Sequence, residues 1–313
     1  MYTILLLGGT GFIGKNIIES FAGDKNYNLI VVTRNACLID DPFFLESNIT
    51  IEIGTLMDTD FIKNVIVEHD VNVIIHLLSS LIPSSPDTDF YNGMNSIIIP
   101  TFKLIDFITN KKIKFIFFSS GGTIYGNATS VIKEVTALNP INNYGFSKQI
   151  IEDYLRYKRN TCSLDCIVLR PSNVYGKYQL FDGNQGFISV AINKIFNGIP
   201  IEIWGDGNAV RDYIHINDVV YVVKIIINHS VTNVTLNLST GIGKSLLEII
   251  ILIERHMCKN AIVHFNRKRP VDATTVILDN SELLALIPHK FISIDEGIKN
   301  QINYFNTVLK NAN

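Results

Sequence analysis

Long apolar runs are missing from this sequence. The most apolar stretch, Val219–Ile227, is interrupted by Tyr221 and Lys224 and falls well short of the roughly eighteen residues needed to cross a bilayer. Ile4–Leu7 follows no basic segment, so it reads as a buried strand and not as a signal peptide. An excess of one charge is missing too: 27 Lys and Arg against 29 Asp and Glu leave a net charge of −2. Without a basic footprint, nucleic acid and membrane are excluded as partners, and an anionic ligand must be met by a few local arginines. Cysteine is sparse, and Cys37, Cys162, Cys166 and Cys258 show no framework spacing. They read as reduced thiols of a cytoplasmic protein. The seven histidines form no His-x-x-x-His pair, so no metal site is expected.

What is present is a large apolar complement, 47% of 313 residues, enough for a substantial core. Short apolar runs, Ile4–Leu7, Leu29–Val32, Val73–Leu77, Phe115–Ser119 and Cys166–Leu169, alternate with segments of helical spacing, Asn16–Phe21, Asp60–Glu68, Ile98–Thr109 and Ser147–Tyr157. Continuous apolar strands alternating with helices predict an α/β fold, a Rossmann-type doubly wound parallel sheet covered on both faces. Beyond Pro171 turns become frequent, as in Asp182-Gly183-Asn184 and Trp204-Gly205-Asp206-Gly207-Asn208. The expected division is a nucleotide-binding domain over residues 1–170, with a return near 235–245, and a smaller C-terminal substrate-binding lobe over 171–313.

Four glycines crowd the junction Leu7-Gly8-Gly9-Thr10-Gly11-Phe12-Ile13-Gly14. A phosphate at a helix N-terminus meets unpaired N–H groups and the positive end of the helix dipole. Gly8 permits the tight turn, Gly11 clears the approach of a pyrophosphate, and Gly14 lets helix and strand close together. The spacing is one residue wider at the front than the commonest dinucleotide fingerprint. The following strand ends Thr33-Arg34-Asn35, with no acid for a ribose 2′-hydroxyl. Arg34 matches a 2′-phosphate, favouring NADP(H), with NAD(H) the alternative if this arginine only stacks on adenine.

Tyr144 and Lys148 stand four apart, side by side on one helix face. An adjacent ammonium is expected to draw the phenol pKa down from about 10 toward that of a working acid–base group. Upstream lies a hydroxyl-rich strand end, Phe118-Ser119-Ser120-Gly121-Gly122-Thr123-Ile124-Tyr125-Gly126.

With these motifs the chain resembles the extended short-chain dehydrogenase/reductases, in layout UDP-galactose 4-epimerase and the nucleotide-sugar 4-ketoreductases and dehydratases. The likeness extends through Ile75-His76-Leu77, Arg170-Pro171-Ser172-Asn173-Val174-Tyr175-Gly176, Val210-Arg211-Asp212-Tyr213-Ile214-His215 and Arg269-Pro270-Val271-Asp272. It implies a nucleotide-diphospho-sugar substrate and hydride exchange at sugar C4, in surface-polysaccharide precursor synthesis. Tyr144 would be the acid/base and Lys148 its partner, with Ser120 or Thr123 as helper hydroxyl, because Gly121 stands where relatives often carry Ser or Thr. Cofactor contacts are implied at Gly8, Gly11, Phe12, Ile13, Gly14, Arg34, Leu56, Leu77, Ser79, Asn95, Ser119, Tyr144 and Lys148. Substrate contacts are implied at Asn173, Phe187, Arg211 and Arg269, with Ile188 beside Phe187 near the base. Thr55 replaces an acid that commonly meets the adenine. Relatives dimerise through a helix pair near the Tyr–Lys helix, and Ile150, Ile151 and Leu155 suit either a homodimer or a core.

Gly241-Ile242-Gly243-Lys244-Ser245 mimics the tail of a P-loop, but Leu238 stands where the leading glycine belongs, so Ser245 is expected as a helix cap. Three functions follow: a reductase of a nucleotide 4-keto-6-deoxyhexose using NAD(P)H, a nucleotide-sugar 4-epimerase with retained NAD, or a non-catalytic NADP sensor. Intact Tyr144 and Lys148 disfavour the last. Arg34 favours reduction, since a reductase draws on a largely NADPH pool.

Overall fold

A computed structural model describes residues 1–127, 131–183, 185–229, 231–267 and 275–312. Six strands, β1 (Tyr2–Leu7), β2 (Tyr27–Thr33), β3 (Ile49–Ile53), β4 (Val73–His76), β5 (Lys114–Phe118) and β6 (Asp165–Pro171), join the Thr235–Leu238 strand in one sheet. Its order is Thr235–Leu238, β6, β5, β4, β1, β2, β3. Every pairing among β1–β6 is parallel. The Rossmann-type architecture is therefore present, with smaller sheets in the C-terminal half.

The composition of the strands explains their places. Ile4–Leu7, Ile74–Ile75 and Phe115–Phe117 are wholly buried, as sheet strands covered on both faces must be. β3 is a strand that the run-counting rule passes over. Ile49-Thr50-Ile51-Glu52-Ile53 is mostly half-buried and lies at the edge of the sheet, where one open side relaxes the demand for unbroken apolarity. The helix Asn143–Thr161 begins earlier than its apolar spacing indicates. Asn142 caps it, its side chain accepting from Gly145 N at 2.8 Å, and so draws Tyr144 into the first turn.

Strand order reverses at β1 and β4, which leave the junction in opposite directions across the sheet. The crevice beyond the carboxyl ends of those strands is where open α/β sheets bind ligands. Ile151 and Leu155 are buried in the core on this side of the chain, and the half-buried Ile150 packs against that core.

Chain contacts separate two compact units. The first comprises Met1–Ile124, Pro140–Arg170 and Lys224–Leu236; the second comprises Tyr125–Asn139, Pro171–Val223 and Asn237–Asn313. In the second unit the strand Val210–His215 runs antiparallel to Gly243–Ser245 and parallel to Asn173–Tyr175 and Thr275–Val276. Ile201–Trp204 pairs separately with Val263–Asn266. Ile192, Ile249, Ile253 and Ile298 fill this unit's core. Ser245 caps the helix Leu246–Met257 in a reciprocal capping box with Glu248, so the P-loop mimic is a helix start.

Phe115 is fully buried in the first core. Phe115→Ala should lower unfolding free energy by about 3–5 kcal/mol, measured as a shift of the urea midpoint; an unmoved midpoint would show that the site collapses without cost.

Candidate active site

The glycine junction is built by backbone contact. Gly8 has φ +92°, a left-handed conformation open to glycine. A Cβ on Gly14 would stand 2.5 Å from the Gly8 and Gly9 carbonyl oxygens and from Gly9 Cα. No side chain fits there. Gly11 differs: a Cβ on it would meet only Gly8 O, at an ordinary 3.4 Å. Protein packing therefore does not require glycine at 11, and the room it leaves is available to a ligand. Gly11 is the N-cap of helix Phe12–Phe21, without a side-chain cap and with no acid in the first turn. The first-turn N–H groups, including those of Phe12 and Ile13, can face an anion.

The loop after β4 lies against this junction. A Cβ on Gly8 would come 3.2 Å from Leu77 Cβ, and Leu77 N donates to Leu7 O at 2.9 Å. The Ser79 hydroxyl closes a local turn, donating to Leu81 O at 2.7 Å. Beyond β5, Ser119 is buried and its Oγ has no hydrogen-bond partner. That orphan hydroxyl, the bare Gly11 and the uncapped helix start together fit a dinucleotide. Arg34 stands exposed directly after β2, beside the end of β1 in the sheet.

Lys148 is buried and donates from Nζ to Leu78 O (3.2 Å) and Phe118 O (3.0 Å). It thereby ties the loop after β4 to the end of β5. Its ammonium lies 5.1 Å from the centroid of the Phe117 ring and 5.7 Å from that of Tyr144. Ser79, Ser80, Ser147, Leu78 and Ile151 line a cavity with Lys148. Burial lowers the Lys148 pKa to about 8, while the negative charge of Glu152 raises it. His76, under the same cluster, donates or accepts through Nε2 at Thr101 Oγ1, 2.9 Å away. Burial lowers its pKa to about 3, so it is neutral.

The phenol corrects the expectation of a depressed pKa. Burial raises the Tyr144 pKa, and the hydrogen bond from Ser120 acts in the opposite direction. Lys148 donates instead to two carbonyls, its ammonium 5.7 Å from the centroid of the Tyr144 ring. Thr123 Oγ1 donates to Ser120 Oγ at 2.9 Å, leaving the Ser120 proton for the phenol oxygen. Ser120 thus stands beside the phenol, with Thr123 behind it.

The other expected positions belong to both units. The Leu56 side chain is part of the core. Asn95 is exposed on the helical segment Met94–Ile98. In the second unit, Asn173 and Arg211 are on paired strands, Asn173 opposite Tyr213. Asn173 Nδ2 donates to Asp212 O at 2.9 Å, and Arg211 Nη1 to Val210 O at 2.9 Å. Phe187 opens helix Phe187–Asn197 and packs half-buried on the core, where Ile188 is fully enclosed. Arg269 and its neighbours Pro270, Val271 and Asp272 lie outside the described residues. Among the described residues no His, Cys, Asp and Glu cluster could hold a metal, and no helix is long and apolar enough to cross a membrane.

Residue-level reasoning passed over Asp212. It is fully buried and accepts from Ser172 Oγ, Thr240 N, Thr240 Oγ1 and Gly241 N. It clasps the turn after the Thr235–Leu238 strand to the strand carrying Arg211. An acid beside an arginine in Arg211-Asp212 was visible; its burial was not.

The sequence profile of the NAD dependent epimerase/dehydratase family matches residues 4–239. The dTDP-4-dehydro-6-deoxyglucose reductase of Escherichia coli is 30% identical over 300 residues, covering 94% of this chain and 95% of that protein. The UDP-glucose 4-epimerase of Mycolicibacterium smegmatis is 26% identical over 310 residues, covering 96% and 97%. The crystal structure of the Thermotoga maritima UDP-glucose 4-epimerase with UDP-glucose is similar at a TM-score of 0.89, with 27% identity, covering 98% of this chain and 99% of that one.

Two glycine variants test the junction. Gly14→Ala should lower both the melting temperature and NAD(P)H affinity. Gly11→Ala should change stability by no more than about 1 kcal/mol, the difference between Gly and Ala at an N-cap, yet weaken NAD(P)H binding about tenfold or more, a loss of about 1.4 kcal/mol. Undiminished nucleotide affinity in Gly11→Ala would remove the phosphate from this position.

Proposed function

The chain belongs to the NAD dependent epimerase/dehydratase family, and from that membership we propose that it is an NAD(P)H-dependent reductase of a nucleotide-activated 4-keto-6-deoxyhexose. The observation that carries the direction of the chemistry is the near-full-length likeness to the Escherichia coli reductase, with Ser120 and Thr123 behind the half-buried Tyr144. A reduction needs a proton donor at the sugar C4 oxygen, and a phenol carries its proton at neutral pH. The reduced dinucleotide, when bound, supplies the hydride to C4. Tyr144 gives its proton to the C4 oxygen, so the carbonyl becomes an alcohol. The Ser120 hydroxyl then donates to the phenolate left behind.

The bare backbone at Gly11 and the N-terminus of helix Phe12–Phe21 hold the pyrophosphate. Ser119 supplies a buried hydroxyl to the nicotinamide end. Arg34 faces a 2′-phosphate, favouring NADP(H) over NAD(H). Asn173 and Arg211 serve the substrate diphosphate, for which a guanidinium fork is suited, and Arg269 joins them on the family likeness. Phe187 serves the base. The Escherichia coli relative supports a dTDP-sugar as the nucleotide form. The setting is cytoplasmic sugar-precursor synthesis, where Cys37, Cys162, Cys166 and Cys258 remain free thiols.

A second reading, a 4-epimerase, is supported by the full-length likeness to the Thermotoga maritima epimerase. Its first step would need Tyr144 as a base, and burial of the phenol opposes that state.

One assay separates the two. With NADPH and dTDP-4-keto-6-deoxyglucose, one nicotinamide should be oxidised per sugar reduced, followed by absorbance. Interconversion of UDP-glucose and UDP-galactose by retained NAD, with no NADPH consumed, would overturn the reductase in favour of the epimerase. Tyr144→Phe should reduce turnover by roughly 10²–10⁴-fold, the usual worth of a placed proton donor, with NADPH affinity nearly unchanged. Substantial residual turnover would assign the proton to another group.

A further inference from the structure

We infer that Glu152, buried one helical turn beyond Lys148 and clamped by Arg170, is a positioning residue that keeps Lys148 in its ammonium form. Residues four apart on a helix lie on the same face, and Lys148 and Glu152 are both buried on helix Asn143–Thr161. Arg170, near the end of β6, holds the carboxylate in a fork: Nε donates to Oε1 at 3.1 Å and to Oε2 at 3.2 Å, and Nη2 donates to Oε2 at 2.5 Å. Both partners are nearly excluded from solvent. The pair is therefore not a surface ornament whose charge water screens away.

A buried ion pair of this kind is weak evidence for stability, since desolvation consumes much of its attraction. Its presence calls for another account, and Lys148 offers one. The groups around that ammonium are the carbonyls of Leu78 and Phe118, the neutral His76 and the Tyr144 phenol on its own helix, with Glu152 one turn along the same buried face. Among the described residues, Glu152 is the anion of this set. The carbonyls help, but burial alone pulls the lysine toward its neutral form. Arg170 fixes the carboxylate and also tempers its charge at Lys148. Glu152 thus shares a buried helix face with the positive Lys148 and a hydrogen-bonded fork with the positive Arg170.

This inference rests on the proposed reading of the chain as a dinucleotide enzyme, with Lys148 at the cofactor as the family likeness implies, but not on the identity of the sugar. The test follows NADPH affinity by nicotinamide fluorescence from pH 6 to pH 10. Affinity should fall as pH rises through the Lys148 pKa, because a donor and a positive charge are lost. In Glu152→Gln the fall should move to lower pH by about one unit, the lower end of what a nearby charge does. In Arg170→Met it should move to higher pH, since an untempered carboxylate then faces Lys148. If either single variant does not fold, Glu152→Gln/Arg170→Met, neutral and of similar volume, keeps the core closed and should move the fall to lower pH. A merely structural pair would lower thermal stability in both single variants and leave the pH of the fall in place, which would overturn the inference. Absence of turnover on every nucleotide sugar would count against the proposed reaction alone, because the affinity profile is read without substrate.

Discussion

The site depends on a single buried cation. Lys148 reaches two backbone carbonyls, one in the loop after β4 and one at the end of β5, and so holds the edges of the crevice at a set separation. A charge so placed survives burial because it is hydrogen-bonded, and every group around it is chosen under that constraint. His76 stays neutral beside it. Tyr144 stays protonated at the edge of its reach. Glu152 and Arg170 extend the charge pattern away from solvent.

The glycine junction obeys a different constraint, that of exclusion. Gly14 brings the backbone of turn and helix closer than any Cβ allows, and Gly8 supplies the left-handed turn that makes this possible. That closeness aims the helix N-terminus at the crevice between β1 and β4, where the sheet order reverses. A dipole end and a hydrogen-bonding surface of N–H groups then lie where a pyrophosphate would come to rest. Gly11 is bare for a separate reason, since a Cβ there would meet protein only in ordinary contact with Gly8 O. Gly14 and Gly11 look alike in sequence and do opposite things: one admits protein, the other leaves space.

The second unit organises its candidate substrate residues through a buried acid. Asp212 gathers donors from Ser172, Thr240 and Gly241, which holds the strand bearing Arg211 against the neighbouring turn. The Arg211 backbone is thereby set in place while its guanidinium remains only half-buried. The acid next to it in sequence serves as the fastening of its strand.

Some of this was readable directly from residue order. Unbroken apolar runs such as Ile4–Leu7 and Phe115–Phe117 declared a sheet covered on two faces, and the glycine spacing declared a strand-to-helix turn, because period and steric permission are local properties. Tyr144 and Lys148 were legible for the same reason, being one turn apart. Tertiary structure decided what depends on burial and on distant neighbours. It made β3 an edge strand in spite of its mixed composition, gave Ser120 the place beside the phenol, raised the phenol pKa by desolvation, and joined Glu152 to Arg170 across eighteen positions of sequence. Local order sets which groups can face one another along a helix or strand; only packing sets which of them lose their water.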